Sequence, residues 1–158
     1  MNCSERTRKL QRLARGIRRC RKCPLHANRT HAVPGAGDPH ADVLFVGEAL
    51  GEAEDQQGRP FVGRSGRFLD KVLADLDLAR ERLFITSTVK CRPPENRNPR
   101  RAESDTCRDA WLDDQIDCIR PRLVVLLGQV AIRAVTGESE RTADLHRQKR
   151  PAATPSCC

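Results

Sequence analysis

The chain has 158 residues, with 29 Lys/Arg against 21 Asp/Glu, a net charge of +8 and a mean hydropathy of -0.61. That length fits one domain, and without a run of ~18 apolar residues no membrane-spanning helix is expected. The basic N-terminus lacks the apolar stretch of a secretory signal, so a cytoplasmic monomer is expected, with cysteines that bind metal in preference to forming disulfides.

The charge is concentrated at the start. Residues 1–23 carry nine Lys/Arg against one acid, Glu5, which equals the net charge of the whole chain. So basic a segment points to a polyanion, most often nucleic acid. The plainer alternative is a solvated helix face. Residues 4–19 read as an amphipathic helix, with Leu10, Leu13, Ala14 and Ile17 on one side and arginines, Arg12, Arg15 and Arg19 among them, on the other.

This helix runs into Cys20-Arg-Lys-Cys23, a pair close enough for one metal centre. Residues 24–41 read as a loop. Pro34-Gly-Ala-Gly37 within it reads as a plain turn, because it precedes a strand, whereas a phosphate-cradling glycine loop follows one. Three short apolar runs come next: Val43-Leu-Phe-Val46, Leu83-Phe-Ile-Thr86 and Leu123-Val-Val-Leu-Leu127. Near-continuous apolar runs mark strands buried on both faces of a parallel sheet. Between the first two, Ser65 reads as a helix N-cap, followed by an apolar stripe of Phe68, Leu69, Val72, Leu73 and Leu76. Residues 101–119 read as a second helix with Trp111, Leu112 and Ile119 toward the core, and Pro121 just past its end. Gln129–Val135 begins a third. Strand–helix alternation predicts an α/β fold with right-handed crossovers. The expected organisation is one domain over 1–137 and a disordered or aberrant tail over 138–158, which has no apolar run.

Open parallel sheets bind ligands at the carboxyl ends of their strands. The first apolar run ends in Gly47-Glu-Ala-Leu-Gly-Glu-Ala-Glu-Asp55, which continues through Gln56 to Ser65 as one long loop. Glu48 stands at the strand's end, where a carboxylate can face substrate, and glycines on either side let backbone amides approach a ligand. Taken singly, Glu48, Glu52, Glu54 and Asp55 read better as a solvated acidic turn. The second run ends at Ser87 and feeds Lys90-Cys91, so the two loops are expected to lie side by side. Cys91 and Cys107 bracket a loop rich in Pro and Asn. Cys20, Cys23, Cys91 and Cys107 together can hold zinc or an iron–sulfur cluster, and the single tight pair leans toward [4Fe–4S]. Ordinary buried thiols are the alternative. Cys3, Cys118, Cys157 and Cys158 have no evident partner.

Three blocks resemble family-4 uracil-DNA glycosylases, the iron–sulfur type of bacteria and archaea. They are Cys20-Arg-Lys-Cys23-Pro-Leu; Gly47 to Asp55 with Gly58-Arg-Pro-Phe-Val-Gly63; and Ile85-Thr-Ser-Thr-Val-Lys-Cys-Arg-Pro-Pro94 with Asn96-Arg97. The resemblance runs in order over about residues 8–137. It implies a three-layer α/β/α fold with a short parallel sheet, a [4Fe–4S] cluster on Cys20, Cys23, Cys91 and Cys107, and excision of uracil from DNA by N-glycosidic hydrolysis. It implies that Phe61 stacks on the extruded base and that backbone at Gly47, Glu48 and Ala49 holds uracil's carbonyl. Glu48 would stabilise positive charge at C1′ or orient water, with Glu54 or Asp55 assisting. Arg92, Arg97 and the basic helix, through Arg12, Arg15 and Arg19, would meet phosphates.

The sequence departs from the family at three places. Leu50 replaces a proline, and Ser87 stands where many members have the asparagine that reads uracil's edge. The late His-Pro motif, which follows a fourth strand, has no match; His146 sits in Leu145-His-Arg-Gln. The expectation is a chain truncated or shifted in frame after about Gly137, with its last strand missing and uracil excision weak. A non-catalytic iron–sulfur module that binds nucleic acid and a zinc-binding interaction domain are the competing readings.

Overall fold

In the computed structural model, which describes residues 2–137, helix α1 spans Cys3–Arg19. Asn2 caps it: its side chain accepts from the Glu5 amide at 2.9 Å, and Glu5 Oε2 accepts from the Asn2 amide at 2.8 Å. Such reciprocal bonds satisfy two amide donors that the first turn would leave open. The tail over 138–158, with His146, Cys157 and Cys158, lies outside the described residues.

Four strands form one sheet: β1 (Ala36–Gly37), β2 (Val43–Gly47), β3 (Phe84–Ser87) and β4 (Leu123–Leu126), in the order β1-β3-β2-β4. β2 is parallel to both β3 and β4, as the three apolar runs predict. β1 has no counterpart among those runs. It pairs antiparallel with β3 through Ala36↔Ile85 and Gly37↔Phe84, so this stretch is a short edge strand and not a plain turn. Two small residues carry no β signal of their own; the pairing comes from the partner's backbone.

The sheet's two faces explain the near-continuous apolar runs. Leu44, Val46 and Phe84 pack with Leu10, Leu112, Cys118, Ile119 and Ala131 on one side. Phe45 and Ile85 pack with Leu69 and Leu73 on the other. The first side is covered by α1, by a continuous helical stretch and by α6 (Gln129–Thr136). That stretch is α4 (Arg101–Cys107), a π turn over Arg108–Leu112 and α5 (Asp113–Ile119). The second side is covered by α3 (Arg64–Asp75), which gives the three-layer α/β/α arrangement.

Three local readings are corrected. The acidic segment after β2 is not all loop: Glu52–Gln57 forms α2, too short and too polar to show a helical period. α3 starts at Arg64 with Gly63 at its cap position, so Ser65 lies inside the first turn and caps nothing. Of the expected stripe, Leu69 and Leu73 are buried, but Phe68, Val72 and Leu76 are 70 %, 37 % and 62 % exposed. These three line a cleft instead of the core. Trp111 likewise turns from the main core toward the cysteine lobe.

Candidate functional site

Three separate segments bring the predicted cysteines together. Cys20 and Cys23 follow α1, Cys91 follows β3, and Cys107 ends α4. All four line one small pocket with Arg29, Lys90 and Trp111. Ile17, Leu25, Ala32 and Val89 pack around Cys91 and Cys107. The sulfurs already receive hydrogen bonds: Arg29 Nη1 donates to Cys91 Sγ at 3.1 Å, Trp111 Nε1 to Cys20 Sγ at 3.3 Å, and the Lys22 amide to Cys20 Sγ at 3.5 Å. Burial raises the thiol pKa at Cys23 and Cys91, and pushes Cys107 up to about 11. Burial also lowers the Lys90 ammonium to about 8, with the neighbouring Cys107 partly offsetting it. Among the described residues no three ligating side chains converge tightly enough for one metal ion. Cys118 lies apart, donating to Arg6 O at 3.4 Å, and Cys3 is exposed.

The second assembly is a cleft of about 670 Å³ at the carboxyl ends of the parallel strands. Gly47, Glu48, Ala49 and Leu50 form one part of its wall, Phe61, Phe68, Val72 and Leu76 another, with Asn96, Arg97 and Val125 beyond. Gly47 is paired with Ser87 across β2 and β3. The Phe61 ring lies directly against Gly47: a Cβ placed there would fall 2.6 Å from Phe61 Cζ and 3.5 Å from Ser87 Oγ. Ser87 does not line the open cleft. It is 2 % exposed behind Gly47 and Phe61, and its hydroxyl has no hydrogen-bond partner among the described residues.

Phe61 adopts a left-handed backbone, φ +51°. For a bulky residue this costs ~1–3 kcal/mol and persists only where neighbours enforce it. The enforcement is visible. Glu54 accepts from the Val62 amide at 2.9 Å, the Gly63 amide at 2.7 Å and the Gly51 amide at 3.1 Å. Arg80 Nη2 donates to the carbonyls of Pro60 at 2.7 Å and Phe61 at 3.0 Å, and Arg80 pairs with Asp70. Gly66 admits the turn, since a Cβ there would fall 2.0 Å from Phe61 O. Glu54 is therefore fully engaged by backbone, and its neighbour Asp55 turns away to accept from the amides of Thr30 and His31.

Glu48 is differently held. Its Oε1 accepts from the Val130 amide at 2.9 Å, at the start of α6. Gly128 makes room for it with φ +101°, a Cβ there falling 2.4 Å from the Glu48 carboxyl carbon. Of the proposed phosphate contacts, Arg12, Arg15 and Arg19 are exposed on α1. Arg92 donates to Asn96 Oδ1 at 2.7 Å. Arg97 is committed to Glu103 through two bonds, at 2.9 Å and 2.8 Å.

A model of the Uracil DNA glycosylase superfamily matches residues 34–156. The chain belongs to that superfamily. A type-4 uracil-DNA glycosylase of Sulfurisphaera tokodaii is 48% identical over 121 residues, which are 76% of this chain and 54% of that protein. Type-4 uracil-DNA glycosylases of Archaeoglobus fulgidus and Pyrobaculum aerophilum are 45% and 44% identical over 126 and 135 residues, covering 80% and 85% of this chain and 63% and 68% of theirs. This places the chain in the type-4 branch, and it spans about half to two thirds of the length of these relatives.

Membership explains why the quoted blocks sit where they do: all three end at the carboxyl side of β2 and β3 or in the cysteine lobe beside them. Sequence reasoning missed the residues that hold the blocks in place. Arg80, Asp70 and Gly66 fix the Phe61 turn, Gly128 and Val130 seat Glu48, and Arg29 and Trp111 reach the sulfurs. Only Gly128 carries a local signal, as a glycine between an apolar strand and a helix.

Proposed function

We propose that this chain excises uracil from DNA by hydrolysing the N-glycosidic bond, with the extruded base entering the cleft at the ends of β2 and β3. The observation that carries this reading is the cleft itself, where Gly47, Glu48 and the Phe61 ring stand together at the carboxyl ends of the parallel strands. Phe61 offers its ring to the base, returning ~1–3 kcal/mol against the cost of unstacking. Backbone of Glu48 and Ala49 takes a uracil carbonyl. Glu48, with Oε1 anchored on α6, turns its other oxygen toward C1′ or the attacking water. Glu54 serves as the anchor of the Phe61 turn, its contacts supporting a positioning role in place of an assisting one.

The four cysteines fit an iron–sulfur cluster: all four line one pocket, and three N–H donors face their sulfurs, as is usual around such ligands. When bound, a [4Fe–4S] cluster would tie α1, the β3 end and α4 into one lobe, with the exposed arginines of α1 beside it. The hydrolysis itself is redox-neutral. One chain acts per lesion, as a monomer, in the cytoplasm.

Single-turnover assays on a uracil-containing oligonucleotide test the reading. Excision by residues 1–158 should be slow, because Ser87, buried behind Gly47 and Phe61, gives the cleft no donor where an amide is usual, and one missing donor costs ~10²–10³ in rate. Glu48→Ala should remove most of what remains. DNA binding with no excision above the Glu48→Ala background would instead mark a non-catalytic iron–sulfur module.

A further inference from the structure

Among the described residues Lys90 is the largest fully buried side chain, at 1 % exposure. Its ammonium donates to Thr86 Oγ1 at 2.6 Å and to the Ser87 carbonyl at 2.7 Å, both neutral oxygens. Among the described residues no carboxylate forms an ion pair with it. A buried cation without a counter-charge is strongly unfavourable, so burial of this kind calls for an anion nearby. The anion is on its other side. Lys90 lines the same pocket as Cys20, Cys23, Cys91 and Cys107. Four thiolates and the iron they bind carry net negative charge.

The side chain therefore stands between two things. On one side is the cysteine pocket that it lines, where the cluster would bring negative charge. Toward the cleft the ammonium grips the last two residues of β3, where Ser87 sits beside Gly47 and Phe61. Thr86 Oγ1 continues the chain of bonds to Pro34 O at 3.1 Å, which also accepts from Gln115 Nε2 at 2.6 Å. We propose that Lys90 is a positioning residue, the buried counter-charge of the cysteine-bound cluster and the brace through which that cluster fixes the end of β3 that backs Gly47 and Phe61 at the cleft. The inference rests on the cluster reading above. It assigns the cluster a defined mechanical path to the cleft, without electron transfer.

The test uses the full chain purified anaerobically. Iron and zinc are measured in the parent first. Parent protein with zinc and no iron overturns the cluster reading and this inference with it. Given an iron–sulfur parent, Lys90→Met should shift the cluster's reduction potential to more negative values, because a nearby positive charge favours the added electron. Chelator-driven iron loss should become ~10–100-fold faster, the usual cost of losing an outer-shell partner. Amide hydrogen exchange at Thr86, Ser87 and Thr88 should accelerate. Lys90→Arg should bring the potential back toward the parent value, which a purely space-filling role would not do. If Lys90→Met gives no soluble protein, Lys90→Gln keeps hydrogen-bond donors and loses only the charge; its potential should still move negative. An unchanged potential in whichever variant folds overturns the proposal.

Discussion

The cysteine lobe and the Phe61 turn hold irregular chain in place by opposite plans. In the lobe, cysteines from three segments meet, and Arg29, Lys90 and Trp111 line the same pocket. In the turn, a single carboxylate, Glu54, gathers three backbone amides from within its own loop, and one guanidinium, Arg80, holds two carbonyls. A distributed anchor fails as a unit when its centre is removed. A concentrated anchor fails locally and leaves the fold standing. The lobe is thus a folding element, whereas the turn is a device for one side chain.

The largest expected effect breaks the lobe. Cys91→Ala or Cys107→Ala should abolish the broad absorption near ~400 nm that thiolate-ligated iron–sulfur centres give, and should lose soluble yield. Cys118→Ala, whose sulfur lies outside the lobe, should keep both; iron content and thermal unfolding are the measurements. Stoichiometric zinc in the anaerobic parent would reverse the assignment.

The turn should respond more narrowly. Glu54→Gln weakens the acceptor shared by the amides of Gly51, Val62 and Gly63, and should cost ~1–3 kcal/mol in denaturant unfolding while leaving the cluster spectrum intact. Gly66→Ala drives a methyl into the Phe61 carbonyl and should displace the ring, reading out as abolished excision in a protein that keeps its colour. Equal loss of colour in both variants would show that turn and lobe are one unit.

A third test leaves both anchors untouched. Reversing Arg12, Arg15 and Arg19 to Glu should weaken binding to every DNA sequence alike. It should also flatten the salt dependence by ~0.9 in log–log slope for each phosphate that the variant no longer neutralises. Parent-like affinity at low salt would make the α1 face merely solvated. The smallest effect concerns the Arg97–Glu103 pair beside the lobe. The Arg97 guanidinium holds the Glu103 carboxyl below its ordinary value of 4.5. With the folded value depressed, this stability is present above pH 4.5 and is lost as pH falls through the folded value. Glu103→Gln should remove that part of the acid dependence of unfolding.

The sequence alone determined the parallel core, the helices on the Leu44 and Val46 side of the sheet and the grouping of four cysteines. Apolar runs such as Val43–Val46 and residue spacing such as Leu10 to Ile17 are local records of burial on both faces or on one. It also marked Gly47, Glu48, Phe61 and Ser87 as one site, because family blocks are contiguous in the chain. Only the tertiary structure decided what each of these does. Ser87 is sealed behind Phe61, Glu54 serves the turn, Arg97 is spent on Glu103, and Phe68, Val72 and Leu76 face a cleft. Each outcome depends on a partner distant in sequence or on a backbone angle, and neither leaves a periodic trace. A carboxylate at the end of a strand reads the same whether it meets substrate, solvent or the first amides of a distant helix, as Glu48 meets Val130, 82 residues further along the chain.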